Sequence, residues 1–464
     1  MKRIIPLVLV VALLATNTIR GTAEESLRFG RFGAVTLYRE SPHPSHVILF
    51  VSGDGGWNQG VVDMAKSLAS LDALVVGIDT THYLKELAAS NERRSYPAAD
   101  FEALSKYVQK KLDFPRYATP VLIGCSSGAT LVYATLVQAP PTTFLGAISL
   151  GFCPDLLLKK PLCRGSGLEW RPGPKGKGFS FLPAKALEAP WIAFQGTIDQ
   201  VCDAAAVQSY VKRVRQGELI LLPKVGHGFS VPKNWMPQLK QAFLHLVERH
   251  EPARPPQPPE VEDLPLEIVP AQGPESDTLA VIVTGDGGWG VTDRGLSNAL
   301  ASHGIPVVGL NSLHYFWTRR TPEQAARDLE RILRRYLDAW KKEKVILIGY
   351  SFGADVLPFM ANRLPEDLFA RVRLVALLGP SQTADFEFHL TDWLGGSRST
   401  DYPVIPEVEK LKGVRLFCFY GEDDEDAICK DLDSKRVKII PLEGGHRIGR
   451  DYEPLAEAIL KEVG

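Results

Sequence analysis

Two serines stand where a nucleophile would. Gly124-Cys125-Ser126-Ser127-Gly128 follows the apolar run Val121-Leu122-Ile123, and Gly349-Tyr350-Ser351-Phe352-Gly353 follows Val345-Ile346-Leu347-Ile348. Each pentapeptide precedes a helix-like stretch. A G-x-S-x-G sequence between strand and helix is the setting of a nucleophile elbow, a strained turn that lifts the hydroxyl above a sheet. A serine hydroxyl attacks well only when a base takes its proton and an acid orients that base. In this setting the chain order is Ser, acid, His. Downstream of Ser126 come Asp199, at the end of an apolar run, and His227. Downstream of Ser351 come Asp424 and His446. The spacing from each strand-end glycine selects Asp424 as the second acid; counting back from Cys429 selects Asp426 instead.

Acyl transfer also needs two backbone N–H donors for the developing oxyanion. One is expected from the residue after each serine, Ser127 or Phe352. The other is expected from the loop after the first strand of each half. Gly53-Asp54-Gly55-Gly56-Trp57 and Gly285-Asp286-Gly287-Gly288-Trp289 hold that place, with Gly55, Gly56, Gly287 and Gly288 as candidates. No Lys-Ser or Lys-Thr follows these loops, which argues against a nucleotide P-loop.

The elements that must position these residues occur twice. Val51–Trp57 returns as Val283–Trp289, His82-Tyr83 as His314-Tyr315, Gly124–Ala129 as Gly349–Ala354, and Gly226-His227 as Gly445-His446. Four landmarks in one order indicate a duplicated domain, with a period too long for a solenoid. Near-continuous apolar strands alternate with helical stretches in each half. This predicts tandem α/β-hydrolase-like domains, each a mostly parallel sheet with helices on both faces. Eight prolines between Glu251 and Pro274 predict a stiff spacer. The expected division is residues 24–250, a linker at 251–274, and residues 275–464.

The 464 residues are 45% hydrophobic and 23% charged, ordinary for globular domains. A net charge of −1 gives no global field to recruit nucleic acid. Lys2-Arg3, the apolar run Ile4–Ala15 and Gly21-Thr22-Ala23 read as a signal peptide, residues 1–23, and predict export. The run is short of the ~20 apolar residues a spanning helix needs. In a bacterium the destination would be the periplasm, where disulfides persist. Six cysteines do not make a disulfide framework. A Cys418–Cys429 bridge would pin the second acid loop. Cys153 and Cys163 lie ten residues apart, and Cys202 lies by the first acid loop. Cys125 is expected to be buried and free. No Cys/His cluster has zinc spacing, so neither metal nor cofactor is expected.

Taken together, Gly-Asp-Gly-Gly-Trp, the His-Tyr pairs and Gly-Tyr-Ser351-Phe-Gly-Ala-Asp355-Val-Leu-Pro-Phe resemble the bacterial virulence proteins VirJ and AcvB. The resemblance is densest in the C-terminal half; the two-domain length looks like AcvB. It implies an exported α/β-hydrolase-fold protein that hydrolyses the aminoacyl ester of lysyl-phosphatidylglycerol. It also implies a link to type IV secretion, and a C-terminal site of Ser351, His446 and an acid at Asp424 or Asp426. The N-terminal half departs from the motif, with Cys125-Ser126-Ser127 in place of Tyr-Ser-Phe. Two other readings are a non-catalytic periplasmic scaffold and a broad-specificity carboxylesterase, since fold alone does not fix function.

Between nucleophile and acid, both halves carry an insertion. In the first, Lys159, Lys160, Arg164, Arg171, Lys175 and Lys177 oppose only Glu169, with Trp170 and Phe179 interleaved. In the second, Asp385, Glu387, Asp392, Asp401, Glu407 and Glu409 oppose only Arg398. The basic segment is expected to meet anionic lipid phosphates. Asp385, Glu387 and Asp392, with Asp286, are expected to receive the ammonium groups of a lysyl substrate. The expected partners are therefore a membrane phospholipid and secretion-system proteins.

Overall fold

The computed structural model describes residues 23–185, 187–250, 258–388, 402–446, 449 and 451–461. The predicted signal peptide lies outside these residues, save Ala23.

In the N-terminal half, strands β1 (Ala23–Phe29), β2 (Gly33–Arg39), β3 (His46–Val51), β4 (Ala73–Ile78), β5 (Val121–Cys125) and β6 (Gly146–Leu150) come first. Three short strands follow: β7 (Asp155–Leu156), β8 (Trp170–Pro172) and β9 (Phe179–Phe181). They precede β10 (Trp191–Gly196) and β11 (Gly217–Leu222). The helices are α1 (Gln59–Ala69), α2 (Thr80–Ala89), α3 (Pro97–Lys111), α4 (Ser127–Gln138), α5 (Ala204–Val211) and α6 (Met236–His250). The main sheet runs β1-β2-β4-β3-β5-β6-β10-β11. Only β2 runs against the others, pairing antiparallel with β1 and with β4. Strand β4, and β3 beyond its first residue His46, are apolar and buried, as strands covered by helices on both faces are.

The C-terminal half repeats the plan with strands β12 (Leu266–Val269), β13 (Thr278–Val283), β14 (Val307–Leu310), β15 (Lys344–Tyr350) and β16 (Val372–Leu378). Then come β17 (Thr383–Ala384), β18 (Tyr402–Pro403), β19 (Arg415–Gly421) and β20 (Val437–Leu442). Its helices are α7 (Val291–Ser302), α8 (Ser312–Tyr315), α9 (Pro322–Ala339), α10 (Phe352–Ala361), α11 (Glu366–Phe369), α12 (Val404–Lys410) and α13 (Glu453–Leu460). The sheet order is β12-β14-β13-β15-β16-β19-β20, the N-terminal order without its first strand. Each half is thus an α/β-hydrolase-like domain.

The linker is shorter than its prolines suggest. Strand β12 pairs antiparallel with β14, and Val261, Leu264 and Leu266 are buried in the C-terminal core. A proline at a strand's first flank or edge is compatible with pairing, so Pro265 and Pro270 bracket a strand rather than forbid one.

The duplicated Gly-rich loop is anchored by its tryptophan. A Cβ on Gly77 would lie 2.1 Å from the Trp57 ring, and one on Gly309 would lie 2.1 Å from the Trp289 ring. Each indole therefore occupies the space that a side chain on the neighbouring strand would fill.

The halves also touch. Tyr117 of the first packs with Leu313, Trp317 and Phe388 of the second in one buried cluster. The Trp317 indole N–H donates to the Phe114 carbonyl at 2.8 Å. Lys110 donates to the Trp317 carbonyl at 2.5 Å and pairs with Glu387 at 3.3 Å.

Candidate active site

Strand β5 ends at Cys125 and α4 starts at Ser127, which leaves Ser126 alone in the turn at φ 53°, ψ −120°. Ser351 sits likewise between β15 and α10 at φ 50°, ψ −118°. Non-glycine residues rarely hold positive φ, and such strain clusters at functional sites. The flanking glycines make the turn possible. A Cβ on Gly128 would lie 2.2 Å from the Ser52 carbonyl, and one on Gly353 would lie 2.0 Å from the Val283 carbonyl. The N–H of Ser126 donates to Leu150 and that of Ser351 to Leu378, so each serine is tied to the end of the next strand.

Both sets of three residues assemble. Ser126 Oγ lies 2.8 Å from His227 Nε2, and His227 Nδ1 lies 2.9 Å from Asp199 Oδ2. Ser351 Oγ lies 2.7 Å from His446 Nε2, and His446 Nδ1 lies 2.7 Å from Asp424 Oδ2. Distances of this order are those of proton transfer and orientation. Asp426 is not the second acid: its backbone N–H donates to Asp424 at 3.2 Å, bracing the residue it competed with.

The two acids differ in support. Asp199 accepts from Gln195 Nε2 and from the N–H groups of Val201 and Cys202 as well as facing His227. Burial pushes its carboxyl up, but the Cys202 N–H, the His227 ring and the Val201 N–H together hold it below the usual carboxylate range. The side chain of Asp199 is fully buried and that of His227 is 19% exposed, whereas His446 is 43% exposed. The C-terminal site is the more open to water.

Disulfides fix both acid loops. Cys418, in β19, is bonded to Cys429 beyond Asp424. Cys202, three residues past Asp199, is bonded to Cys153 rather than leaving Cys153 to its near neighbour Cys163. Cys125 and Cys163 are free. Burial pushes the Cys125 thiol up to about 12, so it is no nucleophile at neutral pH. Among the described residues, one group has the proximity of metal ligands: Asp199, Cys202 and His227. The Cys202 sulfur is already bonded to Cys153, and the other two are engaged with each other.

The oxyanion donors need revision. Ser127 and Phe352 open α4 and α10, where first-turn N–H groups lack helical partners. Gly56 and Gly288, however, each donate their N–H back across a turn, to Gly53 and Gly285 at 3.0 Å. That turn leaves the earlier part of each loop, up to Gly55 and Gly287, to supply a donor. A Cβ on Gly53 would lie 3.8 Å from Ser126 Oγ, and one on Gly285 would lie 3.6 Å from Ser351 Cβ. Asp286 is the half-buried residue next to that contact.

Two glycines escaped the sequence reading. Gly151 and Gly379 hold φ 62° to 67°, and a Cβ on them would lie 3.2 Å from His227 and 3.3 Å from His446. They end the strands beside the nucleophile strands and form the floor under each imidazole. Their only signal is a glycine closing an apolar run, which is common.

The acidic insertion does not act as a unit around Ser351. Glu387 pairs with Lys110 of the other domain, and Glu407 with Lys410 and Arg363. Asp385 accepts the Glu387 N–H at 3.3 Å. Asp392 lies outside the described residues. The aromatics of this segment do reach the site: Phe386 packs on Phe316, whose ring centroid lies 5.1 Å from that of Phe352. The basic insertion forms the three-stranded sheet β7-β9-β8. Lys160 donates to the Ser90 carbonyl. Lys159, Arg164, Arg171, Lys175 and Lys177 are exposed and form no ion pair among the described residues.

A serine, histidine and aspartate so arranged can cleave an ester through an acyl-enzyme. Among solved structures, an esterase domain from Rhodothermus marinus matches with 15% identity and a TM-score of 0.34, over 49% of this chain and 98% of its own. A dienelactone hydrolase from Anabaena variabilis matches with 16% identity and a TM-score of 0.35, over 49% and 97%. An α/β serine hydrolase without lid from Xanthomonas campestris matches with 22% identity and a TM-score of 0.32, over 50% and 97%. No curated protein matches the chain. The sequence profile of the bacterial virulence protein VirJ matches residues 45–144 and 277–464, the first part of the N-terminal domain and nearly all of the C-terminal one. The chain belongs to the VirJ family.

Proposed function

We propose that this protein is a periplasmic serine hydrolase that removes lysine from lysyl-phosphatidylglycerol, with Ser351 as the main nucleophile. The observation that carries the reading is the unbroken hydrogen-bonded line from Ser351 through His446 to Asp424. His446 takes the Ser351 proton as the hydroxyl oxygen attacks the lysyl carbonyl, and returns it to the departing glycerol oxygen. Water, deprotonated by the same imidazole, then releases lysine. Asp424 holds the ring in the tautomer that can accept at Nε2.

Substrate charge supports the lysyl group. Glu422, Asp423, Glu425 and Asp426 flank Asp424 on one loop and are all exposed. With Asp286, they give an anionic mouth for two ammonium groups. This loop replaces Glu387 in that role. The signal-like N-terminus and two disulfides agree with an oxidising compartment. No described helix is long and apolar enough to cross a membrane, so contact with lipid would be peripheral, through Lys159, Arg171, Lys175 and Lys177. Secretion-system proteins would be further partners.

The test is lipid chromatography of lysyl-phosphatidylglycerol vesicles after incubation with the full-length protein. Free lysine and phosphatidylglycerol are expected from the wild type and not from Ser351→Ala. Unchanged substrate with the wild type, or full turnover by Ser351→Ala, would reject the assignment. Neutralising Lys159, Arg171, Lys175 and Lys177 together is expected to reduce co-sedimentation with anionic vesicles; undiminished binding would remove them from the contact.

A further inference from the structure

The N-terminal triad is as complete as the C-terminal one, yet its surroundings differ at matched positions. The acid loops align residue by residue from their strand-end glycines, Gly196 and Gly421. Ile198 then stands where Asp423 stands, and Val201 where Asp426 stands. Both aliphatic side chains face water: Ile198 is 60% exposed and Val201 67%. Val231, four residues past His227, is 45% exposed. The described residues hold seven large exposed hydrophobics, and three of them lie on the two loops that carry Asp199 and His227. Scattered exposed aliphatics need no explanation, but a cluster around a reactive centre does.

A second difference concerns room. Ser127 replaces Phe352 beside the nucleophile, and Leu84 stands where Phe316 does. In the C-terminal site those two rings pack against each other at 5.1 Å. In the N-terminal site that pair of rings is absent, and the Ser127 hydroxyl is buried without a hydrogen-bond partner.

We infer that the Ser126 centre is a second hydrolytic site, for esters of uncharged aliphatic acids. Ile198, Val201 and Val231 would cover the acyl chain, which gains by leaving water. Of the anionic residues around the Ser351 site, only Asp286 has an acidic counterpart there, Asp54; Thr197, Ile198, Gln200 and Val201 replace the four acids of the loop. Ser126 Oγ forms a bond to the acyl carbon and its proton goes to His227 Nε2. The alcohol leaves with that proton, and water then cleaves the acyl-enzyme to the free acid. One ester and one water give one acid and one alcohol. The inference stands apart from the lysyl reading, which concerns Ser351.

The experiment compares full-length wild type, Ser126→Ala, Ser351→Ala and the double variant on p-nitrophenyl butyrate, with lysine release from lysyl-phosphatidylglycerol read on the same preparations. Butyrate turnover is expected to survive Ser351→Ala and to fall at least ~10³-fold with Ser126→Ala. In the Ser351→Ala background, Ile198→Asp with Val201→Asp is expected to raise KM for butyrate about tenfold with little change in kcat. Circular dichroism checks that each variant is folded. Butyrate turnover by Ser351→Ala no greater than that of the double variant would overturn the inference. So would butyrate turnover that follows Ser351 alone. Lysine release that fails while butyrate turnover follows Ser126 would instead count against the lysyl assignment only.

Discussion

Asn in place of Asp424 is expected to lower kcat at the C-terminal site about 10⁴-fold, while Asn in place of Asp426 changes kcat no more than about threefold. The difference comes from which oxygen meets His446 Nδ1. Asp424 Oδ2 does so at 2.7 Å from a position only 6% exposed. An amide there would present a donor to a donor or turn the imidazole to the wrong tautomer, and Nε2 could no longer accept the Ser351 proton. Asp426 contributes a backbone N–H to Asp424, and that N–H survives the substitution. Its carboxylate belongs to the anionic mouth, so its loss is expected in KM for a cationic substrate. Steady-state kinetics on a lysine ester separates the two effects. Equal losses of kcat would mean that the acid has been misassigned.

A second large effect concerns stability. Ala in place of Gly353 would put a methyl 2.0 Å from the Val283 carbonyl oxygen and 2.6 Å from that of Thr284. Those atoms are backbone of β13 and of the residue after it, so they have no rotamer by which to yield. Ordinary overpacking costs about 1–3 kcal/mol; with main chain on both sides, about 3 kcal/mol or more is expected. For a domain of this size that is a loss of roughly 6–12 °C in Tm. Thermal unfolding followed by circular dichroism should show it. A variant within 2 °C of wild type would show that α10 can move away from β13 at little cost.

The triads were legible because the chain states them twice. One G-x-S-x-G is weak evidence. Two of them, each trailed by an acid and a histidine in fixed order, constrain one another. The choice of Asp424 followed from the same logic, since a strand end fixes where its loop begins. What was not legible depended on partners that residue types and spacing do not name. The Gly56 and Gly288 N–H groups looked available until the turn to Gly53 and Gly285 was seen. Glu387 carried the right charge for a cationic substrate, but Lys110, 277 residues away, had the prior claim. Strand β12 was hidden because prolines on both sides disguised four paired residues as spacer. The sequence left the partner of Cys153 open, and the fold pairs it with Cys202.

Phe316 and Trp317 are adjacent residues that look in opposite directions. The first lies against Phe352, beside the nucleophile. The second is buried against Tyr117 and hydrogen-bonded to Phe114 in the other half of the molecule. Duplication commonly yields a spare copy that can drift or be discarded. Here that independence has been surrendered, because severing the halves would take Tyr117 and the Phe114 carbonyl from the Trp317 indole, one residue along the chain from the ring beside the nucleophile.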